Sequence, residues 1–352
     1  MGEGPHKYRA LTEALVSAVL FGVSTPLSKW LLPDFQANQL AGLLYLGAAL
    51  FLMPFLLSER RRAAGRLMPR DRKNLLLLGA AVFFGGMAGP VLLLCGLRLA
   101  HAASVSMWLN LETVATAVLA VLVFRESLGL RVWMGNAGVV VAGLLLTWGE
   151  GRPGVAAVLC VAGAALCWGV DNNCTALIDG ISPQASTFWK GLVAGSANLA
   201  VGLLFFDIPA GGLWLWALAL GGLSYGASIT LYITSAQRLG AARSQMVFSC
   251  APFFGVFLSV VWLGETLGVW QAACAAVLAV SIAVIVVERH GHAHVHDGME
   301  HTHSHRHDDG HHLHTHDGAA APDGWHSHTH THAPLCHTHP HWPDLHHRHT
   351  HG

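Results

Sequence analysis

The sequence predicts an all-α membrane protein: ten transmembrane helices in two inverted five-helix repeats, followed by a disordered, His-rich C-terminal tail. Three observations carry this expectation. Of the 352 residues 53% are hydrophobic and only 11% are charged, with mean hydropathy +0.46. That much apolar surface exceeds what one water-soluble core can enclose, so it belongs in a bilayer. The apolar residues fall into ten stretches of roughly 20, the length that a helix rising 1.5 Å per residue needs to cross about 30 Å of hydrocarbon. Finally, the chain contains its own half twice. Phe124-Arg125-Glu126-Ser127-Leu128-Gly129 returns as Leu263-Gly264-Glu265-Thr266-Leu267-Gly268, and Arg98, Leu99, Ala102 and Ser104 return as Arg238, Leu239, Ala242 and Ser244. Gly22-Val23 pairs with Gly169-Val170 in the same way.

The spans run in order over 12–32, 37–57, 75–97, 102–124, 131–148, 154–174, 186–206, 213–235, 242–263 and 267–288. Turn residues punctuate them: Pro33-Asp34, Gly149-Glu150-Gly151, Ser182-Pro183 and Asp207-Ile208-Pro209. Because a bilayer leaves no water to satisfy backbone groups, runs of this length are helices rather than barrel strands. The first run follows a short Lys7/Arg9 segment without a clear small-residue cleavage site, and reads as a retained span. The domains are thus 1–148 (first repeat), 149–288 (second repeat) and 289–352 (tail).

Basic residues set the orientation. With the N-terminus inside, the inner segments hold 13 Lys and Arg before the tail, against Lys29, Arg98 and Arg152 outside. This places both termini in the cytoplasm and the chain in the cytoplasmic (inner) membrane. Five spans per half is odd, so the second half enters from the opposite side, with Glu126 at the inner face and Glu265 at the outer. A site between two such bundles can open alternately to either side, which points to transport of a small solute.

Two inverted halves, each with a Gly-Val in its first helix (Gly22, Gly169) and a Glu-x-Leu-Gly closing its fourth (Glu126, Glu265), resemble the drug/metabolite transporter superfamily, and most closely its EamA-type family. Leu109-Asn110-Leu111-Glu112-Thr113-Val114 and Cys250-Ala251-Pro252-Phe253-Phe254 look like the family's paired segments leading to the terminal glutamates. Thr113 stands where many members have proline, so a kink is expected at Pro252 rather than in the fourth helix. The resemblance covers residues 10–288 and implies proton- or gradient-driven movement of a small solute. It fixes the fold better than the cargo.

Polar residues within the spans are the candidate substrate or coupling-ion ligands, since an ionised side chain at mid-bilayer costs roughly 2.5–3.5 kcal/mol on insertion scales. Asp171-Asn172-Asn173 in the sixth span reads as a proton- or cation-handling carboxylate with two amides, or as a helix end reaching the headgroups. Lys190, at the start of the seventh span with Asn198 eight residues on, either pairs with Asp171 or snorkels to the interface. Glu112 is either a site carboxylate or an interhelical hydrogen-bond partner. Lys29 reads as an interfacial anchor.

Cys160, Cys167 and Cys174 recur every seven residues on one stripe of the sixth span, as small packing residues or as a soft-metal path beside Asp171. No disulfide framework is indicated. Gly85-Gly86, Gly211-Gly212 and Gly221-Gly222 fit close helix approach. The chain carries no phosphate-binding loop, nucleophile elbow or His-Glu-x-x-His pair, so it is not read as an enzyme.

From His290 to Gly352 the chain holds 23 of its 25 histidines, mostly spaced His-x-His. They include His292, His294, His296, His301, His303, His305, His307, His311, His312, His314, His316, His326, His328, His330 and His332. With few aliphatic side chains to bury, the segment is expected to be disordered and to bind zinc, nickel, cobalt or copper through imidazole; no cofactor is required. Three functions follow. The spans carry an organic solute while the tail regulates or stores metal; the metal or its chelate is itself the cargo; or the chain is a membrane-tethered metal buffer or scaffold without flux. The expected partners are the lipid bilayer and a small-molecule or metal substrate, not nucleic acid, with a homodimer left open.

Overall fold

The structure, a computed structural model, describes residues 5–61, 67–123, 128–207, 211–239 and 241–286, and within the tail 291–296, 299–305, 326–332 and 335–340. The spans are helical where hydropathy placed them. The first comprises α1 (Pro5–Gly22) and α2 (Ser24–Leu31), separated at Val23. The second is α3 (Ala37–Arg61), and the third is α4 (Arg72–Ala80), a π-helical stretch (Ala81–Ala88) and α5 (Gly89–Leu99). The fourth breaks into α6 (Ala102–Trp108) and α7 (Leu111–Leu122). The fifth and sixth are two arms of α8 (Leu130–Ala176), folded at Gly151, whose φ of 69° suits glycine.

The seventh span is α9 (Pro183–Phe205), capped by the Ser182 hydroxyl. The eighth repeats the plan of the third: α10 (Leu213–Leu220), a π-helical stretch (Gly221–Ala227) and α11 (Ser228–Leu239). The ninth repeats the break of the fourth, as α12 (Ala241–Phe248) and α13 (Ala251–Leu263). The last is α14 (Val269–Val286). Among the described residues nine helical segments are long and apolar enough to cross a membrane, and Val269–Ile285 is a shorter apolar helix.

Packing follows the same doubled plan. α3 lies along α9, and each also packs on the π-helical stretch of the other half; α6 packs on α13, and α14 on α8. Gly191 carries no Cβ where the Tyr45 carbonyl and the Ala49 amide approach to about 3 Å, which allows α3 and α9 to touch backbone to backbone. On the outside, Leu204, Phe257, Val269 and Trp148 remain more than 60% exposed. Apolar faces of this extent are suited to lipid rather than water.

Two expectations change here. The fourth span is broken at Leu109-Asn110 although it lacks proline, because the turn is held by short-range bonds: Asn110 N–H to Met107 O, Glu112 N–H to Leu109 O and Thr113 N–H to Asn110 O. The Asn110 side chain adds a bond to the same Met107 carbonyl, competing with helical pairing. Ser249-Cys250 makes the matching break ahead of Pro252, so residue 112 rather than 113 takes the place of Pro252. The tail, expected to be disordered, contains four short strands among its described residues. β1 (Gly291–His296) pairs antiparallel with β4 (Leu335–Pro340), and β2 (Met299–His305) with β3 (His326–His332).

Candidate functional site

The two helix breaks face each other across a small cleft between the first, fourth and ninth spans, with room for little more than one water molecule. Phe21 and Gly22 line it from α1, Thr25 from α2, Asn110, Glu112 and Thr113 from the fourth span, and Gln245, Ser249 and Pro252 from the ninth. Glycine brings the walls together. A Cβ on Gly22 would overlap the Ala251 carbonyl at the start of α13, and one on Gly169 would lie 3.0 Å from the Ala115 backbone of α7. Gly22 and Gly169 therefore do equivalent work in the two halves, each seating a first helix on a broken one. Only the first is itself interrupted beside its glycine; α8 runs through Gly169-Val170 without a break.

Glu112 lies in the first turn of α7, 6% exposed, where the unpaired N–H groups of a helix start favour a carboxylate. Its Oε1 accepts from Asn172 Nδ2 at 2.8 Å. The same amide nitrogen reaches Thr116 Oγ1 at 3.1 Å and Gln245 Oε1 at 3.3 Å, joining α8, α7 and α12. Asn173 Nδ2 donates to the carbonyls of Thr116 and Gly169, tying α8 to α7.

Beside Asn172 in sequence, Asp171 accepts from Lys190 Nζ through both oxygens, at 2.7 and 2.6 Å. Lys190 is 1% exposed and lies two turns inside α9, so the snorkelling alternative does not apply. Asp171 is likewise buried and is no headgroup-facing helix end. The pair is packed on the first π-helical stretch, where a Cβ on Gly85 would overlap the Asp171 carboxylate. Carbonyls in that stretch find other donors: Tyr45 OH and Trp168 Nε1 donate to Gly85 O, and Asn198 Nδ2 donates to Gly86 O and Met87 O at 3.2 and 3.3 Å. Asn198 thus serves the π backbone rather than the cavity.

Of the sequence candidates, Glu112 and Pro252 line the cavity, Asn172 braces Glu112, and Asp171 and Lys190 form a closed pair beside it. Gln245 and Thr116 have no counterpart among those candidates, and Asn110 enters only as a polar neighbour of Glu112 in the segment Leu109–Val114. Asn110 and Thr116 lie in the same broken span as Glu112, at its break and one turn on, while Gln245 is brought in only by the facing break. Glu126 and the tail residues His307, His311, His312, His314 and His316 lie outside the described residues. The cysteine stripe assembles no ligand set: among the described residues no three His, Cys, Asp or Glu side chains are grouped to hold a metal ion.

Glu265 acts elsewhere. Gly264 closes α13 in the left-handed conformation, φ 67°, and turns the chain so that the Glu265 oxygens accept from Ala102 N and Ala103 N, both at 2.8 Å. The second half thereby caps the first helix of the fourth span. Nearby, Lys29 is more than an interfacial anchor: its Nζ donates to Leu97 O at 2.6 Å and Ala100 O at 2.9 Å, covering the end of α5.

The chain is similar to an uncharacterized transporter of Methanothermobacter thermautotrophicus, 23% identical over 292 residues that cover 77% of this chain and 84% of the relative. It also shares its fold with a protein of known crystal structure, at TM-score 0.62 and 17% identity, covering 78% of this chain and 97% of the other. The sequence profile of the EamA-like transporter family matches twice, over residues 9–148 and 155–287. A doubled match over apolar, helical halves settles the assignment: this is an integral membrane protein belonging to the EamA-like transporter family.

Proposed function

We propose that the chain is a gradient-driven transporter that carries a small solute across the cytoplasmic membrane by alternating access, binding it in the cavity between the broken fourth and ninth spans. The observation that carries this reading is the pairing of two interrupted helices around a buried carboxylate. Irregular backbone at membrane depth is tolerated where it lines a cavity, and half-helix ends supply polar groups there. The packing of α3 and α9 on each other, and of each on the π-helical stretch of the other half, supports two inverted repeats that rock about this site. The excess of Lys and Arg in alternate loops supports cytoplasmic termini.

The tail serves as a cytoplasmic site for divalent transition metals. His-x-His spacing supports this, as does a register that sets His301 opposite His330, His303 opposite His328 and His305 opposite His326. Metal as cargo gains nothing from the membrane helices, which group no ligand set among their described residues.

Reconstitution of the full chain and of a chain ending at Glu288 in liposomes tests both readings. Solute exchange driven by an imposed ion gradient, retained after tail removal and lost in Glu112→Gln, is the expected result. Zinc, nickel or cobalt flux that needs Asp171 would instead make metal the cargo. Metal binding with no flux of any solute would leave a tethered buffer.

A further inference from the structure

We infer that Glu265 is the latch on the outer face of the transport cycle: its carboxylate holds the cleft shut on that side and lets go when the side opens. The inference rests on the alternating-access reading and assigns the contact that opening has to break. It begins at the turn Ala100-His101, where α5 ends and α6 starts. A helix end leaves carbonyls without partners and a helix start leaves N–H groups. Both sets are gripped here by a charge of the fitting sign. Lys29 Nζ donates to Leu97 O and Ala100 O at 2.6 and 2.9 Å, and the Glu265 oxygens accept from Ala102 N and Ala103 N at 2.8 Å. The two grips differ in where they come from. Lys29 lies on α2, in the same half as the turn, and travels with it; Glu265 follows α13, in the other half. Only the second grip is given up when the halves part on this side.

The latch closes over the cleft. α6 runs from Ala102 to the break at Leu109-Asn110 with all seven of its residues buried, and it packs on α13. Gly255 of α13 lets the two approach, since a Cβ there would lie 2.6 Å from Ser106 Oγ. With these helices together the cleft holds little more than one water, so a solute of any size reaches Glu112 from the outer face once α6 and α13 separate. The seam is not built for permanent closure. Ser106 is fully buried, yet its hydroxyl has no partner, a cost in free energy that water relieves on entering.

Glu265 also suits, in strength and place, a contact that is made and broken. A helix cap shifts an equilibrium by about 2- to 30-fold, enough to favour the closed form and little enough to be reversed in each cycle. Water stands close to the groups that opening frees. The Glu265 side chain is 11% exposed, and His101, 67% exposed, places Nδ1 3.7 Å from the same carboxylate. Gln271 of α14 adds a second bond across the seam, its Nε2 donating to Ser104 Oγ at 3.1 Å and to Glu150 Oε1 at 2.8 Å.

The test needs no cargo. Thr25→Cys puts a thiol in the cleft of a full chain whose own cysteines are alanine, and a membrane-impermeant thiosulfonate is applied to right-side-out and inside-out vesicles. Glu265→Gln is expected to speed labelling from the outer side by about 2- to 30-fold and to slow it from the inner side. Ala102→Pro should act the same way by another route. Proline suits a first helical position after the extended His101 (φ −64°, ψ 146°), and it removes one of the two N–H donors while leaving the helix start in place. Because both changes strike one contact, the double variant should fall short of the product of the two. Unchanged labelling from the outer side in both variants overturns the inference, as does an equal rise from both sides, which a cap serving stability alone would give. The same pair of effects with the sides exchanged would reverse the orientation and keep the latch. The transport reading fails separately. A thiol that reacts from one side only in every variant, at a rate set by residue 265, keeps the latch and rejects alternating access, whereas labelling from both sides that ignores residue 265 keeps the transporter and rejects the latch.

Discussion

Lys190 and Asp171, 19 positions apart on two different helices, meet through both carboxylate oxygens within 2.7 Å in a setting that excludes water. Each charge is tolerated at this depth because the other neutralises it. Lys190→Met leaves a buried carboxylate alone and is expected to destabilise the protein by about 3–5 kcal/mol. The double variant Lys190→Met/Asp171→Leu should recover most of that loss. Denaturant unfolding in detergent followed by tryptophan fluorescence checks both, and a double variant no better than the single would contradict the pairing argument.

Gly22 and Gly79 offer a contrast in the same chemistry. Gly22→Ala drives a methyl group into the Ala251 carbonyl and the Phe254 side chain, and is expected to cost about 1–3 kcal/mol together with most of the transport activity. Gly79→Ala meets nothing within 4 Å on a helix, so it should be neutral or stabilise by up to about 1 kcal/mol. Thermal unfolding of the two variants side by side reads the difference.

Replacing Glu265 by Gln removes the charge that caps Ala102 and Ala103 and leaves a single side-chain oxygen for two N–H groups. A loss of about 0.5–2 kcal/mol is expected, the range for helix caps. Amide hydrogen exchange of residues 102–105 should accelerate in this variant while that of α9 stays unchanged.

Asp71 caps α4, accepting from Asn74 N at 2.8 Å and Asn74 Nδ2 at 3.1 Å. These bonds hold its carboxyl below the ordinary 3.8. A depressed folded value means that the stabilisation is fully present above about pH 4 and is lost as pH falls through the folded value. Asp71→Asn should therefore flatten the acid limb of the stability curve below pH 4 and leave neutral stability within about 1 kcal/mol. An unchanged acid limb would refute the assignment.

For the tail, protons compete with metal for imidazole near its ordinary pKa of about 6.5. Zinc or nickel affinity of the full chain should fall sharply between pH 7.5 and 5.5, as followed by calorimetry. A flat response would contradict histidine ligation.

The helical segments were legible because a bilayer imposes one length on every crossing; the packing of α3 on α9 was not, because hydropathy does not say which helices touch. Asp171 and Lys190 were legible as well, since a charge at that depth demands a partner and few were on offer. The break at Leu109-Asn110 was not. Its cause is a set of short-range backbone bonds and one asparagine side chain, which leave no mark as strong as proline. Placing Thr113 rather than Glu112 against Pro252 was the consequence, and it hid the fact that the carboxylate begins a helix. Gln245 was missed because its role arises only where the two breaks come together, a relationship between distant segments that local patterning does not encode.

The π-helical stretches at Ala81–Ala88 and Gly221–Ala227 bear on how such a scaffold keeps its faces in phase. Bonding from i to i+5 winds more residues into each turn than α-helical bonding does, so the helix beyond the stretch emerges rotated from the course a regular helix would follow. In the third span this phase change lets Phe83 and Phe84 remain on the outer surface while the carbonyls of Gly85, Gly86 and Met87 turn inward to Tyr45, Trp168 and Asn198. The stretch Ala81–Ala88, with no polar side chain of its own, thus turns phenylalanines to lipid and offers the interior a ladder of carbonyl acceptors for donors on other helices.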